Sequence, residues 1–249
     1  MPVEPIDLSL RTATTADLTE IAELYLATRA AAVPHMPPVA DTPGDVRSWV
    51  SGWRLTGPGA REVWVAETDL GLVGFASLEA DWLDGLYVGP DHQGTGVGSA
   101  LLDVVRAQRP RGFGLWVFAS NTPARAFYRR HGLIELEHTD GSGNQERSPD
   151  VRMVWPGNDP LAFLRAQVDA ADAELAEVLA RRLALTMAIQ GHKEQAGADA
   201  GHAGRDRERE QEIVARMARH APGLPAELIA PVMEVVIGES LSAWEGAQR

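Results

Sequence analysis

Cysteine is absent from all 249 residues. That excludes a disulfide framework and any thiolate metal site, and it makes a reducing cytoplasm the simplest compartment. Long apolar runs are missing too: none approaches eighteen residues, so no membrane span is expected. The first residues, Met1 to Asp7, carry acids and prolines rather than a basic stretch followed by an apolar one, which does not read as a signal peptide. Positive charge is also scarce, with 23 basic residues against 35 acidic ones and a net charge of −12 at pH 7. Nonspecific nucleic-acid binding needs phosphate-neutralising patches and is not expected from such a chain. A small anion needs only a local group of cations, so the acidic total does not exclude one. What is present, 45% apolar and 23% charged residues, is the balance of a globular protein. The length admits one large domain or two modest ones.

Two textures divide the chain. Up to Trp155 short β-type runs alternate with helical ones among many glycines. The runs Glu62–Thr68, Leu72–Glu79, Asp84–Val88, Gly114–Ala119 and Met153–Trp155 predict strands. Ala16–Arg29 with Thr15 as N-cap, Gly96–Arg109 and Pro123–His131 predict helices. Strands alternating with helices indicate an α/β domain over residues 1–155. The five turn-formers Pro156-Gly157-Asn158-Asp159-Pro160 read as a linker. Beyond it, over 161–249, Leu161, Leu164, Val168, Leu175, Val178, Leu179, Leu183 and Ile189 recur at three- and four-residue intervals, the mark of one long amphipathic helix. A loop is expected over Ala196–Gly204, a second helix from Arg205 to Arg219 and a third from Pro225 to Ala247. An all-α unit built on so long a helix buries little by itself, so dimerisation through these helices is expected.

A glycine-rich turn links a strand to a helix in the first part, over Leu86-Tyr87-Val88-Gly89-Pro90-Asp91-His92-Gln93-Gly94-Thr95-Gly96-Val97-Gly98-Ser99. Glycines let backbone N–H groups converge on an anion, and the helix N-terminus adds a favourable dipole end. The Lys-Ser/Thr ending of a nucleoside triphosphate loop and the Gly-x-Gly-x-x-Gly dinucleotide spacing are both lacking. The pattern Gln93-x-x-Gly96-x-Gly98 resembles the acetyl-CoA pyrophosphate turn of the GNAT acetyltransferases. Downstream, Leu115-Trp116-Val117-Phe118 and then Asn121-x-x-Ala124-x-x-Phe127-Tyr128-x-x-x-Gly132-Leu133 are similar to that family's next strand and helix. The resemblance implies a mixed sheet with flanking helices and acetyl-CoA as cofactor. It places Val88 and the amides of Gln93, Gly94, Thr95, Gly96, Val97, Gly98 and Ser99 against the pantetheine and pyrophosphate, with Asn121 and Tyr128 near the thioester. Tyr128 is then the candidate acid for the leaving thiolate; otherwise it is a core aromatic beside Phe127. The base for the amine is open. Strand alternation puts Asp84 on one face with Leu86 and Val88, Glu79 is a second candidate, and either could be a surface acid. The amine acceptor is not readable; its determinants are expected in His35–Leu55, with His35, Asp45, Arg47, Trp49 and Trp53.

In the second part, Arg182 and Lys193 are eleven residues apart, about 20° of rotation, so they share a helix face. Arg165 lies about 100° from Arg182 and does not join them on the same helix. Asp206, Arg209 and Glu210 form one patch on the next helix. Taken alone, these describe an exposed, salt-bridged face. In combination, Leu164-Arg165-x-x-Val168-x-x-x-Asp172, Leu179-x-x-Arg182, Lys193, Asp206-x-x-Arg209-Glu210 and Glu239-Ser240 resemble the all-helical, AroQ-type chorismate mutases. That resemblance implies an intertwined homodimer of three-helix chains in which Arg165 reaches into the partner's site. Chorismate is a dicarboxylate, and its rearrangement to prephenate needs no acid, base or metal, only positioning and charge stabilisation. The resemblance assigns Arg165 and Arg182 to the carboxylates, Lys193 to the ether oxygen and Glu210 to the hydroxyl. Asp206, Arg209 and Ser240 then line or support the pocket.

Two features depart from that family. The loop between Lys193 and Asp206 is long and glycine-rich. Trp244 stands where many members carry a Gln or Glu that also meets the ether oxygen, and losing such a donor costs about 3 kcal/mol of transition-state stabilisation. Glu245 is about 100° away around the helix. The leading expectation is an N-acetyltransferase on an unidentified amine fused to a chorismate mutase. A lyase acting on isochorismate, or a mutase on an amino analogue of chorismate, is the alternative for the helical part. So is a weakly catalytic module that binds chorismate or dimerises the acetyltransferase. His192 and His202, ten apart with no third ligand in register, do not suggest a metal site.

Overall fold

The computed structural model describes residues 7–195, 206–221 and 223–247. The expected loop Ala196–Gly204 and the first residue of the expected second helix, Arg205, lie outside the described residues. The chain divides into two units, Met1–Phe163 and Leu164–Arg249.

Seven strands form one mixed sheet in the first unit: β1 (Ser9–Thr12), β2 (Glu62–Thr68), β3 (Gly71–Glu79), β4 (Trp82–Val88), β5 (Phe113–Phe118), β6 (Ile134–His138) and β7 (Asp150–Trp155), in the order β1-β2-β3-β4-β5-β7-β6. Neighbours are antiparallel except β4 and β5, which run parallel. The helices α1 (Leu18–Ala31) and α2 (Pro43–Ser51) cover one face, with Ile21, Val50, Val65 and Phe75 in their core. On the other face, α3 (Val97–Gln108) and α4 (Thr122–Arg130) enclose Ala66, Ala76, Leu101, Leu102, Phe113 and Met153. Burial on both faces explains why β3 is apolar nearly throughout rather than alternating.

Three elements escaped the sequence reading. β1 has four residues, and β6 lies at the sheet edge with mostly exposed side chains. Such strands carry little hydrophobic signal. The helix α2 did leave one: Thr42 accepts from the Asp45 amide while the Asp45 carboxylate accepts back from Thr42, and Pro43 opens the first turn. The first helix also starts later than expected, because Thr14 caps a short 3₁₀ turn, Thr15–Asp17, ahead of α1.

In the second unit, α5 (Pro160–Gln195, whose first turn precedes the unit boundary) is 36 residues long and is followed by α6 (Arg207–His220) and α7 (Ala226–Ala247). Asp206 caps α6 by accepting from the Arg209 amide at 3.0 Å. Ile229 and Met233 of α7 are buried, yet Val168, Leu175, Val178, Leu185 and Ile189 of α5 and Leu228, Val232 and Val235 of α7 stay exposed. Val168, Leu175 and Ile189 fall on a seven-residue repeat with Val178 and Leu185 three positions further on, the spacing of a helix that seats against other helices.

Arg11 ties β1 to the start of α1. Its guanidinium donates to both Asp17 oxygens at 2.8 Å and to Glu67 of β2. The Arg11 hydrogen bond, against the opposing effect of burial, holds the Asp17 carboxyl well below the usual carboxylate range. A carboxyl whose folded value is depressed stabilises the fold above its unfolded value, about 4, and that contribution fades as pH falls below it. Asp17→Ala should cost about 2 kcal/mol at pH 7. In urea unfolding followed from pH 7 to pH 3, the gap between wild type and variant should narrow below about pH 4.

Candidate functional site

The strands β4 and β5 pair only at Trp82 and Gly114. A Cβ on Gly114 would lie 2.9 Å from the Trp82 ring, so glycine is required where the indole pins the two strands together. Beyond that point they diverge, and a cavity of about 870 Å³ opens between them. Leu86 and Val88 of β4 and Leu115 and Val117 of β5 form its apolar walls.

One end of the cavity is the glycine-rich turn. Gln93, Gly94, Gly96, Gly98 and Ser99 all line it. Gly94 and Gly96 have φ of 76° and 99°, in the left-handed region that favours glycine. Gly96 is the N-cap of α3 and offers no side-chain acceptor, so the first-turn amides are left for an anion. The Gln93 side chain donates to the Val88 carbonyl at 3.2 Å and braces the turn. Two residues of the motif contribute through the backbone alone: Thr95 turns its hydroxyl to the His92 carbonyl at 2.6 Å, and the Val97 side chain is buried in the core. Ser99 Oγ lies 3.0 Å from His131 Nε2, while His131 Nδ1 lies 2.9 Å from the Phe127 carbonyl. A carbonyl only accepts, so Nδ1 donates to it and, in the neutral ring, Nε2 accepts from the Ser99 hydroxyl.

Asn121 and Tyr128 line the same cavity from α4. Asn121 caps that helix by accepting from the Ala124 amide at 3.2 Å. Tyr128 is buried in the core as well as facing the cavity, and burial pushes its phenol above the ordinary value, so it keeps its proton at neutral pH.

The expected face for Asp84 needs correction. The register of β3 against β4 shifts between Ser77/Gly85 and Leu78/Leu83, which leaves Asp84 as the extra residue of a β-bulge. Strict alternation fails across a bulge, and Leu83 packs with Leu86 and Val88 in its place. Asp84 still borders the cavity. Its carboxylate and that of Glu79 are both ion-paired to the single guanidinium of Arg61, Glu79 at 2.9 Å. Arg61 also lies over the Trp53 ring at 4.8 Å.

The sequence reading named His35 but missed its neighbours on the opposite rim, where Arg29, Asn144 and Asp150 line the cavity with it. Arg29, 4% exposed, donates to Glu146 at 2.8 Å and to the Pro37 carbonyl. Gln145 donates to Asp41 at 2.8 Å. These contacts join α1 and the loop after it to the loop after β6 across more than a hundred residues, and no local pattern signals them.

In the second unit Arg182 of α5 donates to Ser240 of α7 at 3.1 Å, and Ser240 donates to the Val236 carbonyl. The Trp244 ring lies 3.6 Å from where a Cβ on Gly191 would stand. Thus α5 and α7 bring Arg182, Ser240 and Trp244 to one interhelical seam. Lys193 is half-buried near the end of α5, as is Glu210 on α6. Arg209 is exposed and pairs with Glu212 at 2.8 Å, and Asp206 is engaged as the N-cap. Arg165 is exposed and lies 17 residues before Arg182, about 25 Å along the helix. The two arginines cannot meet one substrate within a single chain.

Comparison with known proteins agrees with this division. The family model for the acetyltransferase (GNAT) domain matches residues 59–133, and that for chorismate mutase type II matches residues 164–243. The peptidyl-lysine N-acetyltransferase YiaC of Escherichia coli (strain K12) is 32% identical over 96 residues, covering 37% of this chain and 62% of the relative. The peptidyl-lysine N-acetyltransferase YjaB of Salmonella typhimurium is 30% identical over 95 residues, covering 38% and 65%. The chain therefore spans less than two thirds of the length of these curated relatives. The solution structure of apo-form YjaB from Escherichia coli shares the fold, with a TM-score of 0.50 and 21% identity over 61% of this chain and 99% of that one. The chain thus carries, in order, a GNAT acetyltransferase domain and a chorismate mutase type II domain.

Proposed function

We propose that the chain is bifunctional: residues 1–155 transfer an acetyl group from acetyl-CoA to an amine, and residues 161–249, after a linker at 156–160, rearrange chorismate to prephenate. The observation that carries the first half is the cavity between β4 and β5, which ends on the uncapped N-terminus of α3. GNAT domains use acetyl-CoA, which supplies the acyl group. Its diphosphate suits the first-turn amides from Gln93 to Ser99, and its pantetheine arm suits the apolar slot beside Val88 and Asn121. Tyr128 faces that slot and keeps its proton, so it is the group to protonate the departing thiolate. The relatives' names point to a peptidyl-lysine as the acceptor.

For the second half, Arg182 beside Ser240 is the observation in its favour. Arg182 holds one carboxylate, Lys193 donates to the ether oxygen, and Glu210 accepts from the hydroxyl. Arg165 is supplied by a second copy of the chain. The exposed apolar repeat of α5 supports a homodimer, because a monomer would leave it in water. Trp244 against Gly191 favours a second reading, in which the same cations serve isochorismate cleavage or an amino analogue of chorismate. None of the described helices is long and apolar enough to cross a membrane. The absence of cysteine supports a cytoplasmic site of action.

Two measurements test these roles. Tyr128→Phe should lower the acetyltransferase kcat about a hundredfold and leave acetyl-CoA binding by calorimetry unchanged. Lys193→Ala should lower prephenate formation about a hundredfold or more with an unchanged circular dichroism spectrum, and Trp244→Gln should raise it. Activity indifferent to Lys193→Ala would reduce the helical domain to a binding or dimerisation module.

A further inference from the structure

The two carboxylates that the sequence offered for handling the amine, Asp84 and Glu79, share the Arg61 guanidinium. One guanidinium offsets only one of these two charges, but it occupies an oxygen of each carboxylate, so neither presents its full set of acceptors to a second cation. Across the cavity stands a carboxylate in a different situation. Asp150 opens β7 opposite Phe118 of β5 and lines the cavity that Tyr128 faces. One of its oxygens accepts from the Thr139 hydroxyl and the other from the Asn144 side-chain amide at 2.9 Å. Asn144 is itself fixed, donating to the Ser148 carbonyl at 2.7 Å and accepting from the Ser148 amide at 3.1 Å. These donors are all neutral. Of the arginines that line the cavity, Arg29 is engaged by Glu146 at 2.8 Å, and neither Arg29 nor Arg130 forms an ion pair with Asp150. Asp150 is therefore an oriented anion with no cation paired to it among the described residues.

We propose that Asp150 receives the ammonium group of the acceptor, and that the acceptor is accordingly an alkyl amine that reaches the cavity as a cation. The inference rests on the acetyltransferase reading of this cavity. A primary alkyl amine of the lysine type titrates near about 10.4 and is protonated at neutral pH. A carboxylate presents about four lone-pair positions, and Thr139 and Asn144 occupy two, so an ammonium finds free acceptors. Charge-assisted hydrogen bonds are about twice as strong as neutral ones. An arylamine, uncharged at this pH, gains nothing comparable at Asp150. Orientation by Thr139 and Asn144 fixes where the cation sits.

The test uses the full chain saturated with CoA, which cannot turn over, and titrates n-butylammonium chloride by NMR with n-butanol as the neutral counterpart. Wild type should bind the ammonium, and Asp150→Asn should weaken it at least tenfold. Asparagine keeps the shape and can still accept from Thr139 but turns an NH2 toward the Asn144 amide, so the thermal midpoint should fall slightly while CoA affinity and butanol binding should not move. Asp150→Glu, which retains the charge, should stay within a few-fold of wild type and serves as the second variant if Asp150→Asn does not fold. The proposal is overturned if wild type binds no butylammonium, if Asp150→Asn binds it equally, or if that variant changes CoA affinity and butylammonium binding together, which would mark a structural role. Failure of wild type to bind CoA would instead overturn the acetyltransferase reading beneath it.

Discussion

The first domain depends on one broken pairing. Adjacent parallel strands normally satisfy each other's amides and carbonyls along their whole length, and buried backbone groups left unpaired are costly. Here β4 and β5 meet only at Trp82 and Gly114, with the Gly114 amide also donating to the Asp81 carbonyl at 3.0 Å. Past that point the two strands do not pair with each other. A ligand that carries amides of its own can complete their facing edges, and the pantetheine arm of acetyl-CoA is such a ligand. The sheet survives the gap because β3 and β7 flank it with antiparallel ladders, and because α3 and α4 cover one face of it.

Arginines pair with many of the acids of this domain, three of them at its structural junctions. Arg11 fastens β1 to α1 through Asp17, Arg61 gathers Glu79 and Asp84 over the Trp49 and Trp53 rings, and Arg29 clasps Glu146 beneath the rim. In a chain with a net charge of −12 this pairing is selective. It leaves Asp150 to hydroxyl and amide donors alone, and that difference in partners, rather than any difference in residue type, separates it from Asp84. The helical domain shows the converse problem. Arg165 and Arg182 stand about 25 Å apart along α5, and its apolar repeat is exposed. These are the two observations behind the proposed second chain.

How much of this was legible beforehand depended on the range of the interaction. The turn from Gln93 to Ser99 was readable because glycines at left-handed φ and a helix N-terminus are local features. The length of α5 was readable from periodicity alone. Asp84 was misplaced because a bulge is a property of two strands, and nothing within β4 announces one. The edge strands β1 and β6 bury too little to leave a pattern. The α2 capping box Thr42-Pro43-Gly44-Asp45 was a legible signal that went unread.

By itself, then, the sequence determined the two-part division, the glycine-rich turn and the long helix, because each is set by spacing within a segment. Only the tertiary structure decided which acids are free to act. A carboxylate's role depends on the cation or hydroxyl within about 3 Å of it, and for Asp84, Glu79 and Asp150 those partners lie on other elements, brought close by the sheet order and by loops that pack together.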